Sequence, residues 1–323
     1  MDTTLAASDK DLSALQITTG HKVRVRDFSL RTYPGPVVYP CSDTQNRNAQ
    51  RSTLPTSAGI LIDRGSEITV ERTRVGPVFS SGVFFAAVNG GAARANEIYD
   101  TLADGIHVST SINSSNTTPS SNIVVEGNIA RNTGDDSFSS VGYVINGVPV
   151  VMQGTQIKSN RSFDGCTSGV AIEGTSGAVV MGNEVTRSGM AGIRVASNAD
   201  WQSPATTSAS ISGNTLDSVR MSCQGDHPAL LVYSTFQAVS GVSVSGNTIK
   251  NPRSAYGIRA VAASPGTVSG VTATDNSFIV NLQQPACSNG STANLPQAAC
   301  VVMEPSVVNP TVSGNTYNGA ACP

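Results

Sequence analysis

Three carboxylates stand where they could share a reaction. They fall in two short motifs, Ala103-Asp104-Gly105-Ile106-His107 and Thr133-Gly134-Asp135-Asp136-Ser137. Asp104 lies eight residues after Asn96, Asp136 lies eight after Asn128, and Asp135 comes one place earlier. If the two Asn mark equivalent points of successive repeats, Asp104 and Asp136 stack, about 5 Å apart at the inter-strand spacing. Like charges stacked in this way are unfavourable, and a structural ladder would avoid them. Crowding raises at least one carboxyl pKa. One carboxylic acid beside one carboxylate is what cleavage of a glycosidic bond needs: an acid to protonate the leaving oxygen and a base to activate water. Clustered Asp also suits calcium, which takes about six to eight oxygens. Asp-Gly and Gly-Asp are also common turn pairs.

The elements that must position these groups show in a repeat. A short β-branched run ending in Gly-Asn recurs, as Val124-Val125-Glu126-Gly127-Asn128, Val179-Val180-Met181-Gly182-Asn183, Ile211-Ser212-Gly213-Asn214-Thr215 and Val244-Ser245-Gly246-Asn247-Thr248. Such runs are too short for helices, and their Val/Ile content favours strands. A second apolar strand follows at fixed distance. Asn96, Asn128, Asn160 and Asn183 precede Ile106, Phe138, Val170 and Ile193 by ten residues each, while the Asn-to-Asn steps are 32, 32 and 23. A constant segment with variable remainder is how a solenoid behaves, because each coil must match its neighbour while insertions collect in loops. Earlier coils are sketched at residues 22–28 and 67–73. The prediction is an all-β chain forming a single right-handed parallel β-helix of about ten coils, one domain over residues 1–323. The Asn column is expected to be structural: Asn tolerates a left-handed turn and can stack its amide on its neighbours. The Gly before it fits the same turn, and the Ile/Val/Phe columns form the core.

Other columns supply further candidates. Eleven residues after each Asn stand His107, Ser139, Ala171 and Arg194. Strand alternation points these away from the core, so His107 and Arg194 are expected to line a groove and contact sugar hydroxyls or a substrate carboxylate. Glu173 shares their outward parity. Tyr143 and Trp201 are candidate sugar-stacking platforms, since an apolar sugar face packs on an aromatic ring. Lys158 and Asp164 are weaker candidates, and the register of His227, in Gly225-Asp226-His227-Pro228, is not fixed by the spacing.

At the Asp-Gly and Gly-Asp-Asp motifs the sequence resembles the polygalacturonase-like glycoside hydrolases of the pectate-lyase-like β-helix superfamily, and it is similar to bacterial β-helix hydrolases of α-glucans. The resemblance covers residues 93–197. It implies that Asp135 is the general acid, and that Asp104 with Asp136 holds the water for inverting hydrolysis. The sequence departs from the polygalacturonase pattern where that family grips a uronate. The next coils read Ser168-Gly169-Val170-Ala171 and Gly192-Ile193-Arg194-Val195, so Arg194 stands in for part of that grip and galacturonate is in question. A Ser/Thr/Asn-rich stretch, residues 111–121, is placed to wall one side of the groove.

Composition bounds the alternatives. The 323 residues hold 20 Lys plus Arg against 22 Asp plus Glu, a net charge of −2, which argues against a nucleic-acid or anionic-membrane partner, since these need a basic face. Only three His are present and no Cys-x-x-Cys pair, so neither a His-rich nor a Cys-rich metal site is expected. No metal and no cofactor are expected, only water as co-substrate. No run approaches the roughly 18 apolar residues of a membrane span. No signal peptide is visible at Met1-Asp2-Thr3-Thr4. The six Cys (Cys41, Cys166, Cys223, Cys287, Cys300 and Cys322) are expected in disulfides, of a pairing the sequence does not give. These features suggest a secreted or periplasmic, monomeric glycoside hydrolase acting on a polysaccharide or oligosaccharide. A polysaccharide lyase or uronate epimerase on the same fold, using His107 and Arg194, is the first alternative. A carbohydrate-binding adhesin or spike module is the second.

Overall fold

The computed structural model describes residues 4–5, 13–32, 58–110, 117–221, 227–254, 256–280 and 299–322. Cys41, Cys223, Cys287 and residues 111–116 of the expected groove wall lie outside them. Within the described residues the chain forms β-strands and turns, arranged as three long parallel sheets plus one small hairpin. Each coil contributes a strand to each long sheet, which pairs in parallel with its equivalent one coil on. The second sheet runs through ten strands among the described residues, including Ile106–Ser109, Phe138–Val141, Val170–Glu173, Ile193–Ser197, Leu230–Ser234 and Tyr256–Ala262. This is the parallel β-helix expected from the repeat.

The ten-residue spacing is the register of that sheet. Ile106 pairs with Phe138, Phe138 with Val170 and Val170 with Ile193. The column continues through Leu230 and Ile258. All six side chains are buried and belong to the one apolar core that fills the solenoid. Each coil buries its apolar face only by stacking on its neighbours, so stability accumulates along the axis.

The Asn column runs unbroken from Asn96 through Asn128, Asn160, Asn183, Asn214, Asn247 and Asn276 to Asn315, with amide-to-amide hydrogen bonds of 2.9–3.0 Å. Thr73 takes the same place one coil earlier, donating to Asn96 Oδ1 through both its amide and its hydroxyl. Asn160 Oδ1 accepts from the backbone and side-chain nitrogens of Asn128, and its Nδ2 donates to Val125 O and Asn183 Oδ1. The amide is thereby fully satisfied inside the core. One detail differs from expectation: the left-handed residue is the one before each Asn, such as Gly127 at φ 66° or Ser159 at φ 55°, not the Asn itself. That turn swings the Asn side chain inward.

Among the described residues two antiparallel pairings interrupt the pattern. Tyr143–Ile145 folds back on Val148–Val150 as a hairpin on the second-sheet side, and Thr316–Tyr317 pairs with Ala320–Ala321 at the C-terminal end. The last coil is tied by the Cys300–Cys322 disulfide, and Cys166 is also disulfide-bonded.

Candidate active site

The three carboxylates meet at the start of the second sheet. Because Ile106 pairs with Phe138 and the Gly105 amide donates to Asp136 O at 3.0 Å, Asp104 and Asp136 sit at the same height on adjacent coils. The glycines beside them serve close approach. A Cβ on Gly105 would collide with the Ser137 carbonyl, and one on Gly134 with the Leu102 backbone. Asp104 and Asp136 are 7% and 4% exposed, whereas Asp135 is half-buried, the least covered of the three.

Each carboxylate has its own set of donors. Asp136 Oδ1 accepts from Thr167 Oγ1 at 2.7 Å and from the Ser168 amide at 2.9 Å, while its Oδ2 accepts from Arg194 Nη2 at 3.1 Å. Asp135 Oδ1 lies 3.0 Å from the same Thr167 hydroxyl. Asp104 Oδ1 accepts from Ser139 Oγ at 2.9 Å, and Ser139 Oγ lies 2.6 Å from His107 Nδ1. A serine hydroxyl has one proton. Since Ser139 gives it to Asp104, His107 Nδ1 must be the donor in the second contact. His107 therefore carries its proton on Nδ1, and its ring packs edge-on against Phe84 with centroids 4.7 Å apart.

Arg194 lies between two buried acids. Besides Asp136, its Nε approaches Glu173 Oε1 at 2.9 Å, as an ion pair whose N–H is not aimed along the contact. Burial pushes the Asp136 carboxyl above its ordinary value; the nearby Asp135 charge adds to this, and Arg194, Thr167 and the Ser168 amide oppose it. Burial likewise raises Glu173, against the pull of Arg194. Burial alone would lower the guanidinium, but the Asp136 and Glu173 charges outweigh it and hold Arg194 above its usual value. Tyr233 is raised as well, by burial first and then by the Glu173 charge.

The column through His107, Ser139, Ala171 and Arg194 is confirmed as a register and points away from the core, but it is covered: His107 is 7% and Arg194 9% exposed. Glu173, expected to face sugar, is 1% exposed and is turned to Arg194. Beside Arg194 opens a cavity of about 510 Å³, lined by Trp201, Tyr233, His227, Asp200 and Arg259 among others. Trp201 is 54% exposed there. Its loop is held against the Tyr143 hairpin, where the Val144 amide donates to Gln202 O at 2.9 Å. The weaker candidates lie elsewhere. Lys158 pairs with Glu126 on the third sheet, and Asp164 pairs with Arg187 at the edge of the first. Thr167, Ser139 and Tyr233 are the site residues the sequence did not single out. Thr167 stands seven residues after Asn160 as Asp135 does after Asn128, so the same count reaches it. Among the described residues no three His, Cys, Asp or Glu side chains gather as a cation's ligands would, and no helix is long and apolar enough to cross a membrane.

Neither the known family models nor the curated proteins give a sequence match. Solved structures do give a match of shape. The catalytic unit of a GH87 α-1,3-glucanase from Streptomyces thermodiastaticus superposes with a TM-score of 0.59 at 19% identity, over 92% of this chain and 55% of that one. A GH87 α-1,3-glucanase catalytic domain in complex with nigerose gives 0.57 at 18%, over 97% and 56%. The A-module of mannuronan C-5 epimerase AlgE4 from Azotobacter vinelandii gives 0.58 at 16%, over 82% and 63%. The chain spans less than two-thirds of each of these. At such identities the likeness is one of fold, and at that level the resemblance to the β-helix glycoside hydrolases holds.

Proposed function

We propose that the protein is a glycoside hydrolase that cleaves a polysaccharide lying along the second sheet, by inversion, with Asp135 as general acid and Asp104 with Asp136 holding the attacking water. The observation that carries this is the unequal treatment of the three carboxylates. Asp136 and Asp104 are buried and face hydrogen-bond donors, as ionised groups that bind water need to be. Asp135 is the least buried of the three, as suits an acid that must reach a glycosidic oxygen. On this reading one β-helix domain over residues 1–323, a monomer of about ten stacked coils, supplies the whole groove. The disulfides support a place outside the cytoplasm.

The charge distribution favours a neutral sugar over a uronate. Arg194 is engaged by Asp136 and Glu173, and Arg259 by Glu304 at 3.0 Å, so both arginines that line the cavity among the described residues are matched by acids. Asp104 and Asp200 add further carboxylates nearby. A uronate carboxylate would meet net repulsion. The same count weakens the lyase and epimerase alternatives, since both need a cation to neutralise the substrate carboxylate. His107, Tyr143 and Trp201 remain as groups for sugar hydroxyls and ring faces.

The test is reducing-sugar release from neutral glucans and from uronans, for wild type beside Asp135→Asn and Asp136→Asn. The expected result is release from a neutral glucan that both variants lose by about 10²–10⁴-fold, the usual contribution of a general acid or base. Product absorbing in the ultraviolet, from a new double bond, would instead show a lyase. Release undiminished in both variants would move the site elsewhere. Tight glycan binding without cleavage would indicate a binding module.

A further inference from the structure

Arg194 stands two coils beyond Asp136, since Phe138 pairs with Val170 and Val170 with Ile193. That is about 10 Å along the axis, two inter-strand steps. The guanidinium crosses this distance and is held at two points. Its Nη2 donates to Asp136 Oδ2 at 3.1 Å, and its Nε lies 2.9 Å from Oε1 of Glu173, on the coil between. The three side chains are nearly out of water, with Arg194, Asp136 and Glu173 at 9%, 4% and 1% exposed. A carboxylate so placed takes up a proton unless a cation compensates it. The Thr167 hydroxyl and the Ser168 amide donate to Asp136 Oδ1 but bring no net charge. Arg194 brings one, and a guanidinium does not lose its proton on burial as a lysine or histidine can.

We infer that Arg194 is a positioning residue that holds Asp136 ionised and aimed for water activation, with Glu173 fixing the guanidinium from the far side. The catalytic consequence rests on the hydrolase reading; the ion pair does not. Burial pushes the Asp136 carboxyl up, and Arg194 is the strongest influence against it, ahead of Thr167 and the Ser168 amide. The other charged or titratable groups facing the pair are Asp135 beside Asp136, Asp104 on the preceding coil with His107 across Ser139, and Glu173 and Tyr233 around the guanidinium. Without the cation, Asp136 would be protonated where the reaction needs a base. Arg194 also lines the cavity of about 510 Å³ beside Trp201, so the rival role is a grip on sugar. The two roles change different quantities. A grip felt equally in ground and transition states sets KM, whereas the charge on Asp136 sets the acidic limb of the pH profile.

The experiment compares wild type, Arg194→Met and Arg194→Lys, reading kcat, KM and the pH profile of kcat/KM on a neutral glucan. Asp136 acts in its ionised form, so activity falls as pH drops through its pKa. Taking away the cation raises that pKa. In Arg194→Met the acidic limb should therefore move to higher pH by about 1–3 units, the usual influence of an opposite charge at close range. Arg194→Lys keeps the charge but not the two-point hold, and should move the limb in the same direction by less. KM should stay near that of wild type in both. The Asp136 resonance, identified by its loss in Asp136→Asn, should show the same order of shifts in a ¹³C carboxyl titration without any substrate. If Arg194→Met does not fold, Arg194→Lys against wild type decides. An Asp136 titration left in place in the folded variant, or a raised KM with the acidic limb in place, would overturn the inference. An Asp136 titration that moves in a protein that cleaves no glycan would uphold the hold of Arg194 on Asp136 while removing the hydrolase reading.

Discussion

Arg194 donates to Asp136 across an entire intervening coil, 58 residues back in sequence, at 3.1 Å. One coil back in Arg194's own column stands Ala171, fully buried and small enough for the guanidinium to reach past it toward Asp136. A larger residue at 171 would hold the two apart. Arg194→Met leaves Asp136 and Glu173 buried without their cation. A loss of about 3–5 kcal/mol is expected, the usual cost of breaking one side of a buried pair. The double variant Arg194→Met/Glu173→Gln should lose less than Arg194→Met alone. Urea midpoints of the single and double variants check this, and strictly additive losses would argue against the pairing.

Glu173 gives a pH signature. Its folded pKa lies above the ordinary value because burial disfavours the charge. Between the unfolded and folded values the native state binds the extra proton, so wild-type stability falls as pH rises through that window and is level above it. Glu173→Gln removes this titration. The stability of the variant relative to wild type should therefore rise with pH from the ordinary glutamate range upward and then plateau. Chemical denaturation at a series of pH values measures it, and a difference that stays constant with pH would contradict the raised value.

The Ser139 contacts fix the His107 tautomer. Imidazole ¹⁵N shifts should show the proton on Nδ1, and a bare Nδ1 would reverse the hydrogen bond to Ser139. Ser139→Ala removes the donor to Asp104. It should lower kcat by about 10- to 100-fold, within the range of general acid–base effects, at temperatures below the variant's melting transition.

Asn247 tests the ladder away from the site. Asn247→Ala strands the Asn214 amide groups and the Ile211 carbonyl inside the core. Each unmet group costs about 1–3 kcal/mol. The urea midpoint should drop sharply while kcat below the melting transition holds. A midpoint shift under about 0.5 kcal/mol, the scale of an ordinary surface substitution, would show that the ladder adds little.

The coil register was legible because stacking forbids length changes inside the Asn-to-strand segment, so the ten-residue count carries over from coil to coil. The Asp104–Asp136 alignment follows from that count alone. Thr167 was equally countable, but an uncharged hydroxyl raises no alarm until its distances to two carboxylates are known. Glu173 was placed on the correct face, yet sequence parity does not tell a covered outward residue from an exposed one. Tyr233 and His227 escaped because 16 residues, instead of ten, separate Asn214 from Leu230. The insertion breaks the count where the cavity begins.

Trp201 is the one tryptophan in the chain, so fluorescence excited selectively at tryptophan reports on the cavity wall alone. It stands 54% exposed beside Arg194 and Tyr233, in a loop held by the Val144–Gln202 hydrogen bond. If a sugar ring packs on the indole, a neutral oligosaccharide bound to the inactive Asp135→Asn protein should shift the emission to shorter wavelength, as water leaves the ring. Loss of the platform in Trp201→Ala should raise KM by about tenfold, since an aromatic contact contributes on the order of 1 kcal/mol beyond its buried area, and should leave kcat near that of wild type. Saturable binding with unchanged emission would place the sugar on the other side of the carboxylates, toward the Phe84 coil.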